Sequence, residues 1–195
     1  MLQPMDKLAA LFEEMETAYE TTARLLDFSC QGCPDNCCNS YFRHHTYIEW
    51  AYLRQGFDAL PDERRDACLK RAEEYARQAG QALARGERPE IMCPLNDEGR
   101  CGLYTHRMLI CRLHGVPATM RFPNGQRRSF PGCFRCQEIT GGRDNAPAMD
   151  RTLFFQRMLL LEREFTGAAG SLPRLKMSLA EMLLKPLPPA LPASR

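Results

Sequence analysis

The stretch Cys30-Gln31-Gly32-Cys33-Pro34-Asp35-Asn36-Cys37-Cys38 places four thiols within nine residues. Its other residues are Gln, Gly, Pro, Asp and Asn, which are typical of turns and loops. The segment shows neither the helical nor the strand periodicity of apolar residues. We therefore predict an irregular loop over residues 29–40 whose shape is organised by what its thiols bind.

The rest of the chain contains further cysteines, most of them in predicted loops or at the ends of predicted elements. The protein has 195 residues and 10 cysteines, an excess over ordinary cytosolic enzymes. Cys68 belongs to the apolar stripe of a predicted helix, where a free cysteine acts as a small buried hydrophobe. The other nine lie in predicted loops or at element ends: Cys30, Cys33, Cys37, Cys38, Cys93, Cys101, Cys111, Cys133 and Cys136. These nine are the candidate metal ligands.

The spacing of these thiols suits metal chelation. Residues 30–33 and 133–136 are both C-x2-C units, in which a tight turn brings two thiolates to one ion, at about 2.3 Å each for zinc. Two such turns facing each other would make a four-sulfur site. The adjacent pair Cys37 and Cys38 is expected to diverge and to serve different centres. Eight thiolates satisfy two four-coordinate sites, and the spacing does not identify the ninth.

The cellular compartment affects whether the thiols bind metal or form disulfides. Residues 1–24 are interrupted by acids and lack the apolar run of a secretory signal, so we expect a cytoplasmic protein, in which clustered thiols bind metal rather than pair as disulfides. Thiolates suit zinc and iron–sulfur clusters alike, and the metal stays open. The bacterial ferredoxin run is absent.

Other cofactor and membrane signals are missing. No glycine-rich nucleotide motif and no serine-hydrolase elbow is present, so no catalytic residue is assigned and an enzymatic role stays open. The longest apolar stretch, residues 153–161, is too short for the roughly 20 residues of a membrane span.

Apolar periodicity and turn residues predict a mainly α fold with one short β-hairpin. We expect helices over 6–26, from Thr46 to a stop at Gly56, from Pro61 to about Gly86, over 105–113, over 149–165 and from Ser178. Thr46 and Glu49 have the spacing of a capping box. Residues 87–102 are rich in Pro, Gly, Asn and Asp and are predicted to form a loop that turns at residues 96–99. The hairpin turns at Pro123-Asn124-Gly125-Gln126. We predict one domain over 1–195, with a cysteine-cluster core at 28–138, a C-terminal helical extension at 147–185 and a flexible tail at 186–195.

The net charge of +2 hides a strong asymmetry. Residues 1–99 carry 11 basic and 18 acidic side chains (−7), residues 100–143 carry 8 arginines and one glutamate (+7), and the remainder carries 7 and 5 (+2). Arg107 and Arg112 are expected to lie beside the thiolates. Arg121, Arg127 and Arg128 could face an acidic protein or a nucleic acid, whereas pairing of the basic segment with the acidic N-terminal region is the alternative.

The four histidines are further residues of a type that can bind metal. His44 and His45 precede a predicted helix, and His106 and His114 flank Cys111. Because nine thiols already fill the ligand positions, we expect these histidines to be exposed or hydrogen-bonded residues rather than ligands.

The chain resembles a known family in one region. C-x2-C-x3-C-C at 30–38, Cys93-Pro94-Leu95, the turn at residues 99–104 and Cys111-Arg112 resemble the YkgJ-like cysteine-cluster family of zinc- or iron-chelating domains. The likeness covers residues 30–112 and extends more loosely to Cys136; the chain departs from the family pattern at Met108, where proline is frequent. The resemblance implies seven ligands, namely Cys30, Cys33, Cys37, Cys38, Cys93, Cys101 and Cys111, with an eighth from Cys133 or Cys136.

These observations predict a metal-binding cysteine-cluster protein with zinc or iron–sulfur centres held by about eight cysteines. Three roles stay open: an iron–sulfur protein for redox or electron transfer, a cluster-dependent enzyme, and a structural zinc module that binds a nucleic acid or protein through its arginine-rich surface.

Overall fold

The computed structural model describes residues 3–31, 37–141, 143, 145–167 and 172–191. The helices are α1 (Pro4–Leu25), α2 (Tyr47–Asp58), α3 (Asp62–Ala84), α4 (Leu109–Leu113), α5 (Phe134–Thr140), α6 (Thr152–Thr166) and α7 (Leu179–Leu184). The strands are β1 (Asn96–Asp97), β2 (Arg100–Cys101), β3 (Ala118–Arg121), β4 (Arg127–Phe130) and β5 (Met149–Asp150). Short 3₁₀ turns occupy Cys37–Asn39 and Tyr104–His106. The mainly α fold predicted from the sequence is confirmed.

The chain divides into two compact units, each built from two separate segments. The first unit comprises Met1–Asp35 and Leu109–Arg163, and the second comprises Asn36–Met108 and Glu164–Arg195. The predicted cysteine-cluster core at 28–138 therefore contributes residues to both units.

In the first unit, α1 packs against α4 and β5. Leu8, Leu11, Phe12 and Met15 recur at three- and four-residue steps and are at most 2% exposed, so one apolar stripe faces the core. A proline in the first turn suits the helix start, where its missing N–H leaves no hydrogen bond unmade. The predicted N-terminal helix is thus confirmed.

The predicted hairpin is present in the first unit as strands β3 and β4. They pair antiparallel from Ala118 opposite Phe130 to Arg121 opposite Arg127, and Gly125 takes a φ of 81° in the turn. The sheet gains a third strand that the sequence did not indicate, because β5 pairs parallel to β3. The helix expected over 149–165 therefore begins only at Thr152.

The second unit is built around α2, α3 and α7. Helix α3 packs on α7. Its residues Cys68, Ala72, Tyr75 and Ala79 are buried, which confirms the apolar stripe that the sequence predicts. The indole of Trp50 donates a 2.8 Å hydrogen bond from Nε1 to the carbonyl of Met182. Both contacts hold α7 in this unit.

Gly56 does not end α2, contrary to the sequence prediction. The helix continues to Asp58, and a Cβ at Gly56 would lie 2.3 Å from Cγ of His106. The His106 ring lies beside Tyr52, with ring centroids 4.6 Å apart. The glycine therefore serves the close approach of residues 104–106 rather than a helix stop.

Thr46 is the N-cap residue of α2, but the predicted capping box does not form. Its hydroxyl donates a 2.5 Å hydrogen bond to the Glu49 carboxylate instead of accepting one from the helix backbone. Ser178, by contrast, makes the capping box with Glu181 that opens α7 as predicted.

Two short segments differ from their predictions. The expected loop around residues 96–99 is a small hairpin of β1 and β2, and the helix expected over 105–113 is a 3₁₀ turn followed by α4. Both segments are too short for periodicity in the sequence to identify them. Among the described residues, no helix combines the length and the apolar character needed to cross a bilayer.

Candidate metal centres

The two compact units divide the candidate thiols. Cys37, Cys38, Cys93 and Cys101 lie in the second unit, whereas Cys30, Cys111, Cys133 and Cys136 lie in the first. Cys33 lies outside the described residues. Each unit thus holds its own set of cysteines, drawn from distant parts of the sequence.

In the second unit, the 3₁₀ turn at Cys37–Asn39 meets the small hairpin of β1 and β2. The amide of Cys93 donates a 2.9 Å hydrogen bond to the carbonyl of Cys38, and the amide of Asn96 donates a 2.9 Å hydrogen bond to the carbonyl of Cys93. Asn96 is in turn the cross-strand partner of Cys101. Backbone bonds therefore gather these three cysteines at one end of the hairpin.

Cys38 has the environment of a thiolate. Its pKa is lowered to about 6, chiefly by a hydrogen bond from Cys37; burial opposes this shift, and the Asn96 side chain and the nearby charge of Arg107 add to it. The predicted proximity of Arg107 to the thiols is thereby supported.

The Cys37 and Cys38 side chains also interact, so the expectation that they diverge is wrong. In a 3₁₀ turn, with three residues per turn, neighbouring side chains do not alternate as they do in a strand.

Two arginines on α3 hold the hairpin loop in place, and no motif in the sequence identifies them. Arg71 donates 2.8 Å and 3.2 Å hydrogen bonds to the carbonyl of Pro94 and the carboxylate of Asp97. Arg64 donates a 2.8 Å hydrogen bond to the other carboxylate oxygen of Asp97. The composition of residues 87–102 predicts turns. No periodicity in the sequence indicates that these turns contact α3, which lies earlier in the chain.

In the first unit, Cys30, Cys133 and Cys136 are electrostatic neighbours. The pKa of Cys136 is raised to about 11, first by burial and then by the charges of Cys133 and Cys30. Arg135 donates a 3.1 Å hydrogen bond to the carbonyl of Gln31, which joins the segment after Cys30 to α5. Cys30 of the first C-x2-C unit therefore lies near the second C-x2-C unit.

The second C-x2-C unit has a different backbone from the one predicted. Cys133 is the N-cap of α5 and Cys136 lies inside that helix, fully buried. Gly132, at a φ of 86°, lies so close to the chain at Gly115 that an added Cβ would be 2.4 Å from the Gly115 carbonyl oxygen. Cys133 then donates its amide to the same carbonyl at 2.8 Å. A glycine-permitted turn followed by a helix, rather than a tight loop, sets the two thiols.

Cys111 lies on α4 of the same unit, and its neighbour Arg112 is buried. The Arg112 guanidinium contacts Glu16 at 3.4 Å and stacks on the Phe12 ring at 4.3 Å, both on α1. This contact matches the alternative in which the basic segment pairs with the acidic N-terminal region. The position of Cys111 in a helix shows that not all nine thiols lie in loops or at element ends.

The remaining predicted residues fall as follows. Cys68 is 3% exposed and accepts a 3.2 Å hydrogen bond from Arg71, which confirms its assignment to the core. His44 is buried beside Met177, and exposed His45 makes a 3.0 Å hydrogen bond to the Leu175 carbonyl through Nδ1. Arg121, Arg127 and Arg128 are exposed on the β3–β4 hairpin.

Within the part of the chain that the structure describes, no group of three or more His, Cys, Asp or Glu side chains is arranged to hold a metal ion. No protein-family model, no curated protein and no solved structure matches the chain. The donor set itself consists of thiols, the ligands that suit zinc and iron–sulfur clusters.

Proposed function

We propose that this chain is a metal-binding protein with two thiolate-rich centres, one in each compact unit. The observation that carries the proposal is the division of the eight described candidate thiols between the units, four in each. Four thiolates are what a closed zinc site or an iron–sulfur cluster requires. The likeness to the YkgJ-like family, which rests on the sequence pattern, points to the same chemistry.

The centre of the second unit would use Cys37, Cys38, Cys93 and Cys101. Its support is the backbone bonding that joins Cys38 to Cys93 and the pairing of Asn96 with Cys101. Arg107 and the Asn96 amide would stabilise the negative charge that four thiolates carry around a divalent ion, as outer-shell partners do.

The centre of the first unit would use Cys30, Cys33, Cys133 and Cys136. Its support is that Cys133 and Cys30 are both close enough to Cys136 to raise the pKa of its thiol. Cys33 is included for its C-x2-C spacing from Cys30. Cys111 is then the ninth thiol. The family resemblance implies the other choice, in which Cys111 is a ligand and one of Cys133 and Cys136 is not.

Analysis of metal and acid-labile sulfide in the anaerobically purified full-length protein tests the proposal. We expect Cys38→Ser and Cys136→Ser each to lose about half of the bound metal, since closed four-thiolate sites need every ligand. Cys68→Ala is the matched control and should lose none. Metal content also separates the two ligand sets of the first unit. Metal loss in Cys136→Ser but not in Cys111→Ser supports the proposed set, whereas metal loss in Cys111→Ser supports the set that the family resemblance implies.

Three results would count against the proposal. They are wild-type protein without stoichiometric zinc or iron, disulfides in place of free thiols, or equal metal loss in Cys68→Ala. Acid-labile sulfide, together with visible absorbance that bleaches on reduction, would favour the redox role. A colourless protein loaded with zinc would favour the structural role. An enzymatic role requires an open coordination position, which two saturated four-sulfur sites lack. A reducing compartment such as the cytoplasm would keep such thiols available.

A further inference from the structure

The β3–β4 hairpin presents like charges directly opposite each other. Arg121 and Arg127 are cross-strand partners, and both are exposed. Opposed side chains in an antiparallel pair are close neighbours, so two guanidiniums at this position repel each other and cost stability. Arg128, opposite Met120 in the same hairpin, adds a third exposed positive charge.

The protein compensates for this charge only in part. Asp150 on β5 lies near Arg127 and Arg121, but its carboxylate is already held by the hydroxyl and amide of Thr152, at 2.5 and 2.9 Å. Among the described residues, the structure records no hydrogen bond or ion pair for the guanidiniums of Arg127 and Arg128. An anion from outside the chain would remove the repulsion.

A groove of about 510 Å³ opens beside these arginines, lined by Phe122, Asn124, Gln126, Arg127 and Arg128. The groove is partly open to solvent, so a flexible single strand can lie in it. The turn is held by hydrogen bonds from the Phe122 amide to the Gln126 carbonyl at 2.8 Å and from the Gly125 amide to the Phe122 carbonyl at 2.9 Å. The groove is therefore shaped before any ligand arrives.

We propose that this hairpin groove binds single-stranded nucleic acid. The Arg127 and Arg128 guanidiniums bind phosphates, the Phe122 ring stacks on a base, and the side-chain amide of Gln126 bonds to a base edge. The Asn124 side-chain oxygen holds the turn instead, because it accepts a 3.1 Å hydrogen bond from the Gln126 backbone amide. Single-strand sites combine these groups, a basic groove with an aromatic stacking surface. An acidic peptide would use the guanidiniums but would leave the aromatic ring without a role. The proposal does not depend on metal binding, because none of these residues is a candidate ligand.

Fluorescence anisotropy with a fluorescein-labelled oligouridylate of about 12 nucleotides, a length within known single-strand site sizes, tests the proposal on the full-length protein as purified. We expect the Arg127→Ala/Arg128→Ala variant to bind about tenfold more weakly and to lower the salt slope of log K by about 1.4, since each phosphate contact contributes about 0.7. The matched control is Arg77→Ala/Arg85→Ala, which removes the same charge from exposed positions on and next to α3. It should change the affinity less than about twofold, because both guanidiniums are already paired with carboxylates, Glu74 and Glu87, and neither lines the groove.

The stacking contact has its own test. Phe122→Ala should weaken binding at least about fivefold with the salt slope unchanged, since stacking of one base contributes about 1–3 kcal/mol. Phe122→Tyr should restore binding, which separates loss of stacking from misfolding. Far-ultraviolet circular dichroism of each variant checks that the fold is kept.

The proposal is overturned if the wild type does not bind the oligonucleotide at low salt, or if the control variant loses as much affinity as Arg127→Ala/Arg128→Ala. It is overturned as well if polyglutamate displaces the oligonucleotide at equal concentration and Phe122→Ala binds normally. That last outcome would assign the groove to an acidic protein partner.

Discussion

The amide nitrogen of Cys93 donates a 2.9 Å hydrogen bond to the carbonyl oxygen of Cys38. This bond joins the turn that carries Cys37 and Cys38 to the hairpin loop that carries Cys93 and Cys101. Thiols that are far apart in the chain thereby come to lie in one part of the second unit. Residues that hold this junction without supplying a thiol are consequently expected to affect metal binding.

Asn96 is the first such residue, because its side chain donates to Cys38 while its backbone pairs with Cys101. If the proposed centre exists, Asn96→Ala should weaken metal affinity about tenfold or more, the usual effect of losing an outer-shell partner. Competition with a chromogenic chelator measures the affinity. Asn145→Ala, at an exposed position of the first unit, is the control; an equal effect there would rule out a local role for Asn96.

Arg71 should matter for stability, because it joins α3 to Pro94, Asp97 and Cys68. We expect Arg71→Met to lower the free energy of unfolding by about 1–3 kcal/mol, since a buried carbonyl loses its donor. Arg77→Met, on the same helix, breaks an exposed ion pair with Glu74 and an exposed hydrogen bond to Gln81, and should cost less than about 1 kcal/mol. Urea unfolding of both variants checks the difference, and equal losses would contradict the anchoring role.

Gly56 and Gly80 provide a matched pair inside helices. A Cβ at Gly56 would lie 2.3–2.8 Å from atoms of His106, whereas a Cβ at Gly80 in α3 would meet nothing within 4 Å. Gly56→Ala should therefore destabilise the protein by about 1–3 kcal/mol through overpacking. Gly80→Ala should stabilise it by about 0.5–1 kcal/mol, the usual gain of alanine over glycine in a helix. Thermal unfolding of the two variants should shift in opposite directions, and shifts of the same sign would refute the packing at His106.

His44 should make stability depend on pH. Burial, with the charge of His45 as a smaller cause, lowers its pKa from 6.5 to about 4. The unfolded chain therefore binds a proton more readily than the folded protein as pH falls from 6.5 towards 4. The stabilisation is present in full above pH 6.5 and declines through that window, by about 2 kcal/mol at about pH 5.

Urea unfolding of the wild type and of His44→Leu at about pH 7 and about pH 5 measures this contribution. The difference between the two proteins removes the effect of other groups that titrate in both. His45→Gln, at the exposed neighbour, should keep the wild-type dependence on pH. An unchanged pH dependence in His44→Leu would show that His44 does not titrate in this way.

The sequence predicted the elements that depend on local signals. The stripe of α1, the stripe of α3, the Ser178 capping box and the turn at residues 123–126 all follow from spacings within one helix or hairpin. Strand β5 was not predicted, because only two of its residues pair with β3 and so short a strand shows no alternating pattern in the sequence. Helix α5 escaped because its cysteines were interpreted as part of a chelating turn, although Gly132 at a positive φ already redirects the chain before Cys133.

The amino-acid sequence by itself determined which nine thiols are candidate ligands, that Cys68 belongs to the core, and that the basic charge is concentrated in residues 100–143. Only the tertiary structure decided how the thiols divide, with Cys38 and Cys93 in one unit and Cys30 and Cys136 in the other. It also decided that Arg112 pairs with Glu16 while Arg127 and Arg128 remain exposed. The physical reason is that each of these relationships joins residues distant in the chain. Local spacing specifies helices and turns, whereas long-range backbone bonds and packing specify which loops meet.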